Sequence, residues 1–125
     1  MNKNDISYAI RGAAFKVHSR LGPGLLESVY ESTMAHELRL SKFDVQSQVA
    51  VPVVYDDVKL EHGFRIDLLV NSKVIVEIKS VDAILDVHKK QLLTYLKLSG
   101  RKLGLLINFN SMSLKNSITR IVNNL

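Results

Sequence analysis

The stretch FRIDLLVNSKVIVEIKS, residues 64–80, holds two β-rich runs around a short polar turn at Asn71-Ser72, which predicts a hairpin. Its register follows from the side chains. If Val70 pairs with Val74 across a three-residue loop, Leu68 faces Val76, Ile66 faces Ile78, and one face is wholly apolar. A two-residue loop would set Ile66 against Glu77, and a one-residue slip moves a whole set of side chains to the wrong face. The three-residue loop is therefore favoured. It places Asp67 directly opposite Glu77 on the other face, with Lys79 two residues along on the same side. Directly opposed Cβ atoms stand about 4.5–5.5 Å apart, so two carboxylates can share one cation. That face also carries Leu69 and Ile75, the pattern of a strand pair covered on both sides.

Downstream, Leu85–Ser99 reads as a helix with His88, Leu92, Tyr95 and Leu96 near one side and Gly100 as its stop. Leu103–Phe109 reads as a buried strand, so strand, helix and strand suggest a right-handed crossover between parallel strands. The tail from Leu114 to Leu125 carries Ile118, Ile121 and Val122 and is too short to assign. Upstream, residues 43–55 form a strand region with Pro52 marking a sheet edge, and Asp56-Asp57 turns into a second run through Lys59 and Leu60. Two helices come first. One starts at Asn4 as N-cap and carries Ile6, Ala9, Ile10, Ala13, Val17 and Leu21 to the Gly22-Pro23-Gly24 stop. The other runs through Leu26, Tyr30, Met34 and Leu38 to about Leu40. The fold class is α/β with a mixed sheet.

With 125 residues and no repeat, linker or charge block, one domain over residues 1–125 is expected. A content of 46% hydrophobic and 23% charged residues with two prolines excludes a disordered or collagen-like chain. The net charge of +5 favours an anionic partner such as nucleic acid. Zero cysteines exclude disulfides, thiol nucleophiles and thiolate metal sites, so any metal must sit on oxygens or imidazoles. No apolar run approaches the roughly 20 residues of a membrane span, and MNKNDISYAIRG lacks a signal core, giving a cytoplasmic expectation without membrane contact.

The ordered set is Glu27 on a helix, Asp67 on one strand, Glu77-Ile78-Lys79 on the next, and Gln91 with Tyr95 on the following helix. This order resembles the PD-(D/E)xK nuclease superfamily, a restriction-endonuclease-like αβββαβ core, here with an additional N-terminal helix. Ile66 stands where the name-giving proline would be. More closely, VHSRLGPGLLESVYE, FRIDLLV, VIVEIKS, HKKQLLTYLKLSG and LGLLINF resemble the GxxExxY protein family, with Gly24, Glu27 and Tyr30 as the named positions.

The resemblance implies a Mg2+ or Mn2+ ion on Asp67, Glu77 and the carbonyl of Ile78, as hard oxygen donors select. Glu27 would reach the ion directly or through water, and Lys79 would orient or help deprotonate the attacking water. Gln91-X3-Tyr95 resembles the QxxxY signature of a RecB-like exonuclease branch, where the pair organises the site and contacts the strand; Tyr30 joins them as a site-organising residue.

Each residue also has a plainer reading. Glu-X-Lys on a strand is commonly a surface charge pair, and Glu27 can form a salt bridge. Tyr95 can be core with a wet hydroxyl. His18 and His88 are candidate extra ligands, though such histidines more often cap helix ends or pair with a carboxylate. Gly22-Pro23-Gly24 reads as a helix break before a phosphate contact. Lys89, Lys90, Lys97, Arg101 and Lys102 suit either a phosphate backbone or a solvated helix face. The function expected is a divalent-metal-dependent nuclease, on DNA before RNA. The alternative is a catalytically silent nucleic-acid-binding or partner-recruiting module. Specificity in so short a chain would have to come from a homodimer, a protein partner or a guide.

Overall fold

Helix α1 (Lys3–Leu21) is capped by Asn2 rather than Asn4. The Asn2 side chain accepts the Asp5 N–H at 2.9 Å and Asp5 accepts the Asn2 N–H at 3.3 Å. The reciprocal box closes on a carboxylate three residues after the cap, which Asp5 supplies for Asn2, whereas Ser7 stands three after Asn4. The computed structural model describes residues 1–125. Gly22, at φ +71, ends α1 with its N–H on the His18 carbonyl at 2.8 Å. Helix α2 (Glu27–Leu40) follows.

Strand β1 (Val45–Val51) leads to a separate small hairpin of β2 (Val54–Tyr55) and β3 (Val58–Lys59), turned by Asp56 and Asp57, both at positive φ. Then come β4 (Phe64–Val70), β5 (Val74–Lys79), α3 (Asp86–Ser99), β6 (Leu103–Asn108) and β7 (Ile118–Val122). The five-stranded sheet has the order β1-β4-β5-β6-β7. β1, β4 and β5 are antiparallel, β5 and β6 run parallel across α3, and β7 returns antiparallel. Pro52 follows β1 at the sheet edge, where a missing N–H costs no ladder bond. The tail is a strand because β6 supplies its ladder, and Ile118 packs on one face of the sheet and Ile121 on the other.

The hairpin of β4 and β5 pairs Val70 with Val74, Leu69 with Ile75 and Leu68 with Val76, the three-residue register. Asn71 and Ser72 take positive φ in the turn, and the Lys73 N–H closes it on the Val70 carbonyl at 3.0 Å. Two cores flank the sheet. The larger packs Ile6, Ile10, Tyr30, Met34 and Leu38 of α1 and α2 on Leu68, Val70, Val76 and Ile107. The smaller packs Leu92 and Leu96 of α3 on Val51, Ile66, Leu69 and Ile75.

Ile66 is a correction. Strict alternation puts it with Leu68 and Ile78, yet it packs with α3 on the opposite face. β1 changes face at the same level, since Val45 belongs to the larger core while Val49 and Val51 belong to the smaller. Between the pairs Ser47–Leu68 and Val49–Ile66 lies Gln48 at φ +54, outside β geometry, and this residue turns the strand over.

Gly63 pins the β2–β3 hairpin to the edge strand. A Cβ at this position would stand 2.2 Å from the Val51 carbonyl oxygen. Gly63→Ala is expected to cost about 1–3 kcal/mol by overpacking, read as a lower urea midpoint; an unchanged midpoint would mean the hairpin shifts freely.

Candidate active site

The site forms where the β4–β5 ladder opens. Asp67 and Glu77 follow the last ladder pair, and their carboxylates replace carbonyls as acceptors across the gap. The Asp67 N–H donates to Glu77 Oε2 at 2.8 Å, and the Ile78 N–H donates to Asp67 Oδ2 at 2.8 Å. Each carboxylate thus holds the backbone at or beside the other, which fixes both at the point where the strands part. Glu77 is 5% exposed, whereas Asp67 and Lys79 are half-buried.

Burial pushes the Glu77 carboxyl up to about 8, and the neighbouring Asp67 charge adds to the rise. Lys79 opposes it from the same strand, though no carboxylate lies within 4.0 Å of its amine. The site is short of positive charge. Tyr95 of α3 sits close enough to register this: burial, then Glu77 and Asp67, raises its phenol pKa. Its ring stacks on Phe64 at 3.8 Å between centroids and 4° between planes.

An open cavity of about 350 Å3 adjoins Asp67, walled by Glu27, Ser28, Glu31, Gln48, Asp67 and Ile78. The loop after β5 docks α2 here. Ser80 donates its hydroxyl to the Leu25 carbonyl at 2.7 Å and its N–H to Glu27 Oε2 at 3.3 Å. Buried Asn108 steadies the same loop, bonding both the N–H and the carbonyl of Val81. Three members of this wall, Ser28, Glu31 and Gln48, escape the sequence reading. Glu31 lies one helical turn beyond Glu27, so the ESVYE spacing carried the signal. Gln48 carried none, because its placement depends on a positive φ inside a strand.

The other candidates stand apart from the cavity. Tyr30 is fully buried, with its hydroxyl on the Gly22 carbonyl at 2.6 Å, so it organises the turn before Glu27 and presents nothing to solvent. His18 Nε2 is 2.7 Å from the Ser111 carbonyl oxygen, and His88 Nδ1 accepts the Leu85 N–H at 3.0 Å to cap α3. Gln91 is exposed and makes no hydrogen bond to another residue through its side chain. Lys89, Lys90 and Lys97 are exposed on α3 without an ion-pair partner.

No three or more Asp, Glu or His side chains gather closely enough to hold a metal by themselves. The Asp67–Glu77 pair nonetheless suits a hard cation, because it sets two carboxyl groups together in a buried place where the Glu77 charge is disfavoured despite Lys79 and the Asp67 N–H.

A mixed sheet flanked by helices, with two acidic residues and a lysine on adjoining central strands, defines the restriction-endonuclease-like class. The chain belongs to the PD-(D/E)XK nuclease superfamily, whose family model matches residues 4–121. Nucleases of this superfamily typically use divalent metals. No curated protein matches the chain. The crystal structure of SSO0001 is similar with a TM-score of 0.62 at 19% identity, over 79% of this chain and 51% of that one. The likeness is one of fold, and this chain spans about half the length of SSO0001. No helix is long and apolar enough to cross a membrane.

Proposed function

We propose that the protein is a GxxExxY-type, divalent-metal-dependent nuclease that hydrolyses phosphodiester bonds, in DNA before RNA. The observation that carries this reading is the reciprocal Asp67–Glu77 pairing, with Lys79 two residues beyond Glu77. Asp67, Glu77 and the Ile78 carbonyl would hold Mg2+ or Mn2+, and Glu27 would reach it directly or through water. Such an ion supplies charge neutralisation at the scissile phosphate and a more acidic water.

The chain's own groups have separate tasks. Lys79 orients the attacking water and stabilises negative charge on the phosphate. Tyr95, stacked on Phe64, and Gln91 organise the strand on the α3 side. The unpaired Lys89, Lys90 and Lys97 would follow the phosphate backbone. Sequence selection would need a second copy, a protein partner or a guide.

The test incubates purified protein and Lys79→Ala with single- and double-stranded DNA and with RNA, in Mg2+, Mn2+ or excess chelator. Metal-dependent cleavage is expected, falling by roughly 10²–10³-fold in the variant. The exposed, unpaired Lys89, Lys90 and Lys97 suit a second reading, a nucleic-acid-binding module without turnover. That reading predicts salt-sensitive nucleic-acid affinity that survives Glu77→Ala and no cleavage under any condition.

A further inference from the structure

Asp67 has one carboxylate oxygen committed to the backbone, Oδ2 on the Ile78 N–H, and one without a backbone partner, Oδ1. Gln48 Nε2 stands 3.4 Å from Oδ1 and 2.6 Å from Oε1 of Glu31. One primary amide thereby bridges a carboxylate on α2 and a carboxylate on β4. Glutamine suits this position chemically. Its two N–H donors can serve two carboxylates at once, and its nitrogen neither adds charge nor competes for a cation.

The backbone that brings Gln48 there is costly. Its φ of +54 is rare for a residue with a side chain, and it falls within β1 at the level where both strands change face. Such a conformation persists only where the surroundings hold it. The Glu31 contact is one restraint, and Arg65 Nη1 on the Gln48 carbonyl at 3.3 Å is another.

We propose that Gln48 is a positioning residue whose amide, anchored on Glu31, sets the direction in which Asp67 Oδ1 is presented to a cation. The proposal rests on the reading of Asp67 as a cation ligand. It separates from a structural role because the strain and the amide can be removed together. Glycine adopts positive φ without a steric penalty, so Gln48→Gly relaxes the strand while deleting the bridge.

By isothermal titration, Mn2+ affinity of Gln48→Gly is expected to fall about 10–100-fold, the usual effect of losing a group that orients a metal ligand. Its unfolding midpoint should stay level or rise. A lower midpoint with unchanged Mn2+ affinity would overturn the proposal, because it is the signature of a merely structural glutamine. A second readout needs no metal. The side-chain amide resonances of Gln48 should shift, and exchange faster with solvent, in Asp67→Ala. If the wild-type protein binds no Mn2+, the cation reading fails while an amide that responds to Asp67→Ala upholds the hold on Asp67. An amide indifferent to Asp67→Ala overturns the proposal whatever the metal result.

Discussion

Glu77→Gln is expected to stabilise the metal-free protein around and above pH 8 while lowering metal-dependent cleavage by roughly 10³-fold, as losing several kcal/mol of transition-state stabilisation implies. The two effects have one origin. The Glu77 carboxyl is raised from 4.5 to about 8 by burial first and by Asp67 second, so the folded protein keeps a proton that the unfolded chain has released. Stability from this group is fully present below pH 4.5 and is lost as pH rises through about 8. The loss across that window is on the order of a few kcal/mol, and the proton belongs to the Asp67–Glu77 pair rather than to one residue.

Glutamine is neutral at every pH, and its carbonyl oxygen can still accept the Asp67 N–H. The variant should therefore show a flat contribution where the wild type declines. The measurement is the difference in urea midpoint between the two proteins from pH 5 to pH 9 in chelator, which cancels the histidine titrations common to both. Mn2+ at pH 8 should then raise the wild-type midpoint and leave the variant unchanged. A constant difference across the whole range would show that the buried charge is already neutralised within the protein.

The hairpin was legible because its two apolar runs permit only one register with an apolar face, and the observed pairs Leu68–Val76 and Val70–Val74 follow it. Alternation then failed at one place. Ile66 lies beyond Asp67, where carboxylates replace ladder carbonyls and Gln48 turns β1 over, and no local rule signals a positive φ at a glutamine. The Glu27–Glu31 wall was half legible, since helical spacing places both on one side, while their partner Gln48 comes from a different element. β7 was ambiguous for a related reason. Five residues suffice for a strand only when a neighbour supplies the ladder, and β6 is that neighbour. What sequence pattern conveyed was the regular part of the fold; the site occupies its irregular part, where strain and unusual acceptors are held by tertiary contacts.

Tyr30 tests how far that irregular part depends on the core beneath it. Its ring, wholly buried, stacks on Phe109 just beyond β6 at 4.5 Å between centroids. Its hydroxyl donates to the Gly22 carbonyl at 2.6 Å and accepts the Leu25 N–H at 3.1 Å, so one side chain clasps both ends of the Gly22–Leu25 turn. Leu25 and Glu27 in turn receive the hydroxyl and N–H of Ser80, which follows the strand bearing Glu77 and Lys79. Tyr30→Ala removes ring and clasp and is expected to cost about 3–5 kcal/mol. Tyr30→Phe keeps the stack but strands two turn groups without their partner, for about 1–3 kcal/mol. The phenylalanine variant is the sharper probe, because it should remain folded at room temperature while Glu27 loses its fixed starting point. Cleavage by that variant is expected to fall about 10–100-fold, the usual effect of loosening a metal ligand's support applied to the proposed role of Glu27, with nucleic-acid affinity little changed. Full cleavage by a folded Tyr30→Phe would mean that Ser80 alone places Glu27, and that the clasp serves the fold without reaching the chemistry.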